Sequence, residues 1–254
     1  MEKVRVNGIE IAYERRGKGV PLVLIHGYPL DHSIWDRTAA FLENDFDLIL
    51  PDLRGFGKST TVTDLYGMNE IADDLAQFLD HLGIQQVALA GHSMGGYVVL
   101  AFAQKYPNRV NGLGLVSSQT VADTLERKEG RYKTAAEVEE KGVGIVADAM
   151  TDKLSPSQSV RDFIRPLIKE QSKNGVAGAL RAMAEREDLT GVIPTFKFPV
   201  VLIHGDADEL IPVDRAREVK TAFPQLHFKE LPGAGHMPMM EMPEKTAEAL
   251  RLLK

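Results

Sequence analysis

Apolar residues along this chain fall into two kinds of run. Val20–Ile25, Val87–Ala90, Val110–Val116 and Phe198–His204 are short and almost wholly apolar, as expected of parallel strands covered on both faces. Lys3–Val6 and Ile9–Arg15 are two further short strands joined at Asn7-Gly8, the two-residue signal for a type I′ hairpin. Phe46–Leu50 and Leu226–Leu231 read as strands as well. The other kind of run is helical. In Met68–Leu82 the residues Ile71, Leu75, Phe78, Leu79 and Leu82 follow a 3.6-residue period, and Gly83 stops it. Helices are also predicted over Ser33–Glu43, Tyr97–Ala103 and Val213–Phe223, and from Pro243, well placed as a first helical residue, to about Leu253.

Strands and helices therefore alternate, which implies a mostly parallel sheet with helices on both faces. From about Thr120 to Gly191 the alternation stops and only helical patterns appear. Val160, Phe163, Ile164, Leu167 and Ile168 make one stripe, with Pro166 expected to kink it; Val176, Leu180, Met183 and Ala184 make another. The block is too long for a loop. The expectation is one domain over 1–254: a core of residues 1–119 and 191–254, and a helical cap, 120–190, inserted over the strand ends.

Composition narrows the partners. The chain has 254 residues, 44% hydrophobic, with a net charge of −6 and no cysteine. Charges are interspersed, so nothing favours nucleic acid or an anionic membrane. Arg127-Lys128, flanked by Glu126 and Glu129, reads as a solvated helix face. Without cysteine there is no disulfide, thiolate or Cys-metal chemistry. No apolar run reaches roughly 18 residues and no signal segment is evident, so the expected location is cytoplasmic, without membrane insertion.

The chemistry starts at Gly91-His92-Ser93-Met94-Gly95, between a buried strand and a buried helix. G-x-S-x-G there places a serine on a sharp turn at a helix N-terminus, where free N–H groups and the helix dipole favour developing negative charge. A serine nucleophile needs a base, and the base an orienting carboxylate. Of seven histidines, His236 alone lies in a Gly-rich loop after the last strand, where an imidazole can reach across the sheet edge. Asp206 and Asp208 both follow the penultimate strand. Asp208 is the preferred acid; Asp206, its rival, reads as a turn-capping residue. His26-Gly27, Asp52, Ser93 and Ser117 fall on the same edge.

Five segments in order carry a resemblance: His26–Pro29, Asp52–Ser59, Gly91–Gly96, Gly205–Asp208 with Pro212, and Gly233–His236. With them the chain resembles the α/β-hydrolase-fold serine esterases over essentially its whole length, in particular the small-cap carboxylesterases, cofactor-free perhydrolases and 3-oxoadipate enol-lactonase. The resemblance implies an α/β fold with an eight-stranded, mostly parallel sheet. It implies Ser93 as nucleophile, Asp208 as acid and His236 as base, with the backbone N–H groups of Tyr28 and Met94 as oxyanion donors and no metal or cofactor. The expected reaction is hydrolysis of small- to medium-chain or aryl carboxylic esters. The alternatives are perhydrolysis, suggested by Pro29 beside Tyr28, enol-lactone hydrolysis, and ligand binding without turnover. Met94 and Met237, with Trp35 and Tyr28 as aromatic wall, are the expected lining of a modest apolar acyl pocket.

Overall fold

A computed structural model describes all 254 residues. The first two strands, β1 (Glu2–Val6) and β2 (Ile9–Gly17), form the expected hairpin, with Asn7 and Gly8 both at positive φ. β3 (Val20–Ile25), β4 (Phe46–Pro51), β5 (Val87–His92), β6 (Val110–Val116), β7 (Val200–Gly205) and β8 (His227–Leu231) complete one sheet, ordered β1-β2-β4-β3-β5-β6-β7-β8. Pairings from β3 onward are parallel; β1 and β2 extend the edge antiparallel. The chain runs from β3 outward to β4, then crosses back to place β5 on the other side of β3. Strand order reverses there, so a crevice opens at the carboxyl ends of β3 and β5. Those ends carry His26-Gly27-Tyr28 and Ser93.

The helices α1 (Asp36–Ala39), α2 (Met68–His81) and α3 (Met94–Lys105) precede the cap; α8 (Asp214–Ala222), α9 (Pro238–Glu241) and α10 (Pro243–Leu250) follow it. The helix expected over Ser33–Glu43 is much shorter. Asp31 caps a 3-10 turn at His32–Trp35 by accepting the Ser33 N–H at 3.0 Å, and α1 ends at Ala39. The N–H groups of Asp45 and Phe46 both bond the Leu42 carbonyl, which turns the chain into β4 and leaves Phe41 exposed. Apolar spacing alone did not reveal that turn.

Between β6 and β7 lie α4 (Leu125–Lys141), α5 (Gly144–Leu154), α6 (Gln158–Lys169) and α7 (Lys173–Ala184), with no strand. In α6 the stripe is as expected at Val160, Ile164 and Ile168, all fully buried. The helix stays continuous through Pro166 and ends three residues later. Phe163, expected on the buried stripe, is exposed. The polar helix α4 buries only Ala135 and Val138, against α7. One contiguous cluster of 79 buried apolar residues takes in both sheet faces and the cap residues Val160, Ile164 and Leu180, so the cap shares the core of the sheet. No helix is long and apolar enough to cross a membrane.

Candidate active site

Ser93 sits between β5 and α3 with φ 50° and ψ −111°, a conformation costing a non-glycine residue about 1–3 kcal/mol. Its surroundings hold it there. The Ser93 N–H donates to the Val116 carbonyl at 2.9 Å, and its own carbonyl accepts the Gly96 N–H at 2.9 Å and the Ser118 hydroxyl at 2.8 Å. The flanking glycines are required by close approach. A Cβ at Gly91 would lie 2.2 Å from the Gly95 carbonyl oxygen, and one at Gly95 would lie 2.6 Å from the Ile25 carbonyl oxygen. Ser93 thus stands at the N-terminus of α3, where the helix dipole is positive.

His236 follows β8. Its Nδ1–H donates to Asp208 Oδ2 at 2.7 Å. The other carboxylate oxygen of Asp208 accepts the N–H groups of Leu210 at 2.9 Å and Ile211 at 3.0 Å. His204 Nε2 lies 3.2 Å from Oδ2 and donates to the Ile211 carbonyl at 2.8 Å. Burial alone would raise the Asp208 carboxyl. The His236 charge and the hydrogen bonds from His204, His236 and Ile211 outweigh it and hold the group well below the usual carboxylate range. Asp208 is therefore ionised. Asp206 instead accepts the Gly233 N–H at 2.6 Å from an exposed position and serves the turn.

The His236 backbone is pinned on both sides. Its N–H donates to Leu154 at the end of α5, and its carbonyl accepts His92 Nε2–H at 2.8 Å. Burial, then the neighbouring His236, keep His92 well below the usual histidine range, hence neutral. No hydrogen bond joins Ser93 Oγ to the His236 ring, although both line one cleft. Such contacts often tighten only in the substrate complex.

The loop after β3 forms the opposite wall. His26 Nε2 accepts the Leu53 N–H at 3.0 Å, so the proton is on Nδ1, which donates to the Gly27 carbonyl at 2.9 Å. Gly27 passes so close to His92 that a Cβ there would lie 2.4 Å from His92 Nδ1. The Tyr28–Pro29 peptide is cis. Neither the Tyr28 nor the Met94 N–H is engaged in a loop or cap hydrogen bond. Behind the loop, Asp52 is fully buried. Its Oδ1 accepts the His32 N–H at 3.0 Å and Nδ1–H at 2.7 Å, and its Oδ2 accepts the Lys58 N–H at 2.8 Å. One carboxylate thereby ties two loops beneath the site.

The cleft over Ser93 and His236 encloses about 110 Å³. Met150, Met183, Leu210 and Ile211 supply its apolar wall, Tyr28 and Tyr97 its aromatic one. Arg127 and Arg131, one turn apart on α4, also line it.

A family model described as the alpha/beta hydrolase fold matches residues 20–243. The chain belongs to the α/β-hydrolase family. A thermophilic esterase from Thermogutta terrifontis, solved with malate bound, is 37% identical with a TM-score of 0.94, over 99% of this chain and 97% of that one. A bifunctional esterase/perhydrolase from Acinetobacter calcoaceticus is 27% identical over 82% of each chain. The dihydrolipoyllysine-residue acetyltransferase component of an acetoin-cleaving system from Pseudomonas putida is 30% identical over 91% of this chain; the match spans 62% of that relative's length.

In this α/β hydrolase two residues expected to line the pocket do not reach it. Trp35 is fully buried in the hydrophobic core, because the 3-10 turn after Asp31 carries its ring inward. Met237 is also fully buried, as the residue before α9. The Met94 side chain, though next to Ser93, likewise packs in the core. The methionines that line the cleft, Met150 and Met183, come from the cap. Arg127 is exposed, as the reading of a solvated face expected, and it also lines the cleft; Lys128 beside it pairs with Glu185 at 2.6 Å. Arg131 was not anticipated. The available signal was the four-residue spacing of two arginines on one helix face, which says nothing about what that face meets.

Proposed function

We propose that this protein hydrolyses small carboxylic esters through an acyl-enzyme on Ser93, with His236 as base and Asp208 as its orienting acid. The observation that carries the reading is the 2.7 Å contact of His236 Nδ1 with a buried, ionised Asp208, in the cleft that Ser93 also lines. Ser93 Oγ attacks the ester carbonyl as His236 Nε2 takes its proton. The Tyr28 and Met94 N–H groups stabilise the oxyanion, each donor contributing about 10²–10³ in rate. His236 returns the proton to the leaving alcohol. Water then attacks the acyl-enzyme with the same base, releasing the acid. Asp208 remains ionised and fixes the imidazole tautomer.

The similarity to an esterase at 37% identity over nearly the whole of both chains supports this choice among the chemistries of the fold. The test is hydrolysis of p-nitrophenyl acetate and butyrate by wild type and Ser93→Ala. Turnover that falls by at least ~10⁴ in the variant is expected, given what a disabled triad costs. Equal rates would end the serine mechanism, and no turnover by the wild type would favour ligand binding without catalysis.

A second reading is perhydrolysis, in which hydrogen peroxide replaces water at the acyl-enzyme and the product is a peracid. The likeness to a bifunctional esterase/perhydrolase supports it. Formation of peracetic acid from acetate and peroxide, absent in Ser93→Ala, is the expected outcome; none from the wild type removes this reading.

A further inference from the structure

The cleft contains no aspartate or glutamate among its lining residues, yet it contains two guanidinium groups. Arg127 has no carboxylate partner and donates through Nη2 to the Leu210 carbonyl at 3.2 Å, reaching from α4 to the loop that carries Asp208. Arg131 is mostly buried, its side chain 19% exposed. Its Nε donates to Asp123 and its Nη1 to the Met183 sulfur at 3.4 Å. A thioether is a weak acceptor, and Nη2 has no protein acceptor at all.

Asp123 does not neutralise this cluster. Its side chain is fully buried and shared with Arg186, whose Nη2 lies 2.9 Å from Asp123 Oδ1 and whose guanidinium stacks 4.2 Å from the Tyr97 ring. One carboxylate thus faces two guanidiniums, and Arg127 adds a third cation with no partner. The acidic residues Glu126 and Glu129 on the same helix do not line the cleft. This local excess of positive charge stands within a protein whose net charge is −6.

Tyr28 adds a second, independent polar group. It is 5% exposed and lines the cleft, and its hydroxyl has no hydrogen-bond partner. A buried hydroxyl without a partner costs free energy until something fills that role. Burial raises the Tyr28 phenol, and the charge of Arg131 is near enough to oppose that shift. Tyr28 and Arg131 both line this cleft, together with Met150 and Met183. A planar fork plus a hydroxyl beside apolar walls suits a carboxylate, which accepts several hydrogen bonds at once.

We infer that Arg131 and the Tyr28 hydroxyl form a carboxylate subsite, with Arg127 at its mouth, and that the substrates are esters or lactones bearing a second, free carboxylate away from the scissile bond. This rests on the Ser93 reading above and deepens it. Arg127 draws the anion in against the overall negative charge of the protein; Arg131 and Tyr28 hold it, and the scissile carbonyl is thereby oriented toward Ser93.

The experiment compares monomethyl glutarate, an anionic ester, with dimethyl glutarate, its neutral counterpart, as the ratio of their kcat/KM values. Arg131→Gln is expected to lower the anionic-to-neutral ratio at least tenfold, Tyr28→Phe and Arg127→Gln each severalfold, and Arg131→Lys less than Arg131→Gln. Raising the salt concentration lowers the wild-type ratio as well. A ratio that is the same in wild type and Arg131→Gln overturns the subsite, because a purely structural arginine affects both esters equally. Calorimetric titration of glutarate into Ser93→Ala, with and without Arg131→Gln, separates the two proposals. Binding lost with Arg131, in a protein whose wild type hydrolyses no ester, upholds the subsite and overturns the hydrolase. Hydrolysis of neutral esters without glutarate binding overturns the subsite alone.

Discussion

Two buried histidine–aspartate pairs stand at the carboxyl edge of this sheet, and by their contact alone they are the same. His236 meets Asp208 and His32 meets Asp52, each through Nδ1 at 2.7 Å, and both carboxylates accept further backbone N–H groups. Their other ring nitrogens differ. His32 Nε2 lies 3.6 Å from Glu14, so this ring is held between two carboxylates. His236 lines the Ser93 cleft, packed against a neutral His92 at 4.8 Å between ring centroids. The first arrangement favours a protonated imidazolium that acts as a brace. The second leaves a nitrogen to exchange a proton with a reacting group. A histidine–aspartate contact therefore does not define a base; the partner of the second nitrogen does.

The comparison breaks most sharply at Asp208. Asp208→Asn is expected to lower kcat on p-nitrophenyl acetate by about 10³–10⁴, since the amide no longer selects the reactive tautomer. Stability should change less than at Asp52, and a loss below tenfold in kcat would mean that the two pairs are both braces. Asp52→Asn should act the other way. It loosens the loops beneath Tyr28 and destabilises the fold by about 3–5 kcal/mol, as removal of one partner of a buried pair does; urea unfolding measures this.

His204→Phe is the intermediate case. It removes a donor to Asp208 and to the Ile211 carbonyl while leaving Ser93 and His236 in place, and kcat is expected to fall about tenfold, or about 1.4 kcal/mol, near the lower end for a hydrogen bond to a charged group. Stopped assays with p-nitrophenyl butyrate would show it, and an unchanged kcat would mean that Leu210 and Ile211 suffice to hold the carboxylate.

The smallest effect is at His32. Burial opposes protonation there, but the hydrogen bond and charge of Asp52 prevail and raise the His32 imidazole above the usual histidine range. A group raised in the folded state contributes stability that is complete below its unfolded pKa and is lost as pH rises through the folded one. His32→Gln is thus expected to cost about 1–2 kcal/mol at mildly acidic pH, with the deficit shrinking as pH rises past that value. A deficit that grows with pH would contradict the brace.

The fold and the triad candidates were legible because they rest on local signals. Short apolar strands alternating with amphipathic helices define the layers, and Gly91 and Gly95 report backbone approaches that exclude a side chain. His236 was separable from six other histidines by its Gly-rich loop. Asp208 was preferred over Asp206 from its place in the loop after the penultimate strand, and in the structure the first is buried against His236 while the second accepts a turn N–H. Trp35 shows the limit from the other side. It was expected as aromatic wall of the pocket, but a single turn of 3-10 helix directs the ring into the core.

By itself the sequence determined the strand and helix order, the strained serine corner and the edge on which its partners meet, since periodicity and glycine requirements act over a few residues. Only the tertiary structure decided that His32 is held between two carboxylates, that the pocket methionines are Met150 and Met183, and that Arg127 and Arg131 turn toward the cleft. Those outcomes depend on groups brought together from distant parts of the chain. Asp123 closes on Arg131 and Arg186, and Leu154 of the cap holds the His236 backbone. A residue's neighbours along the chain do not state what a helix face will meet once it is packed.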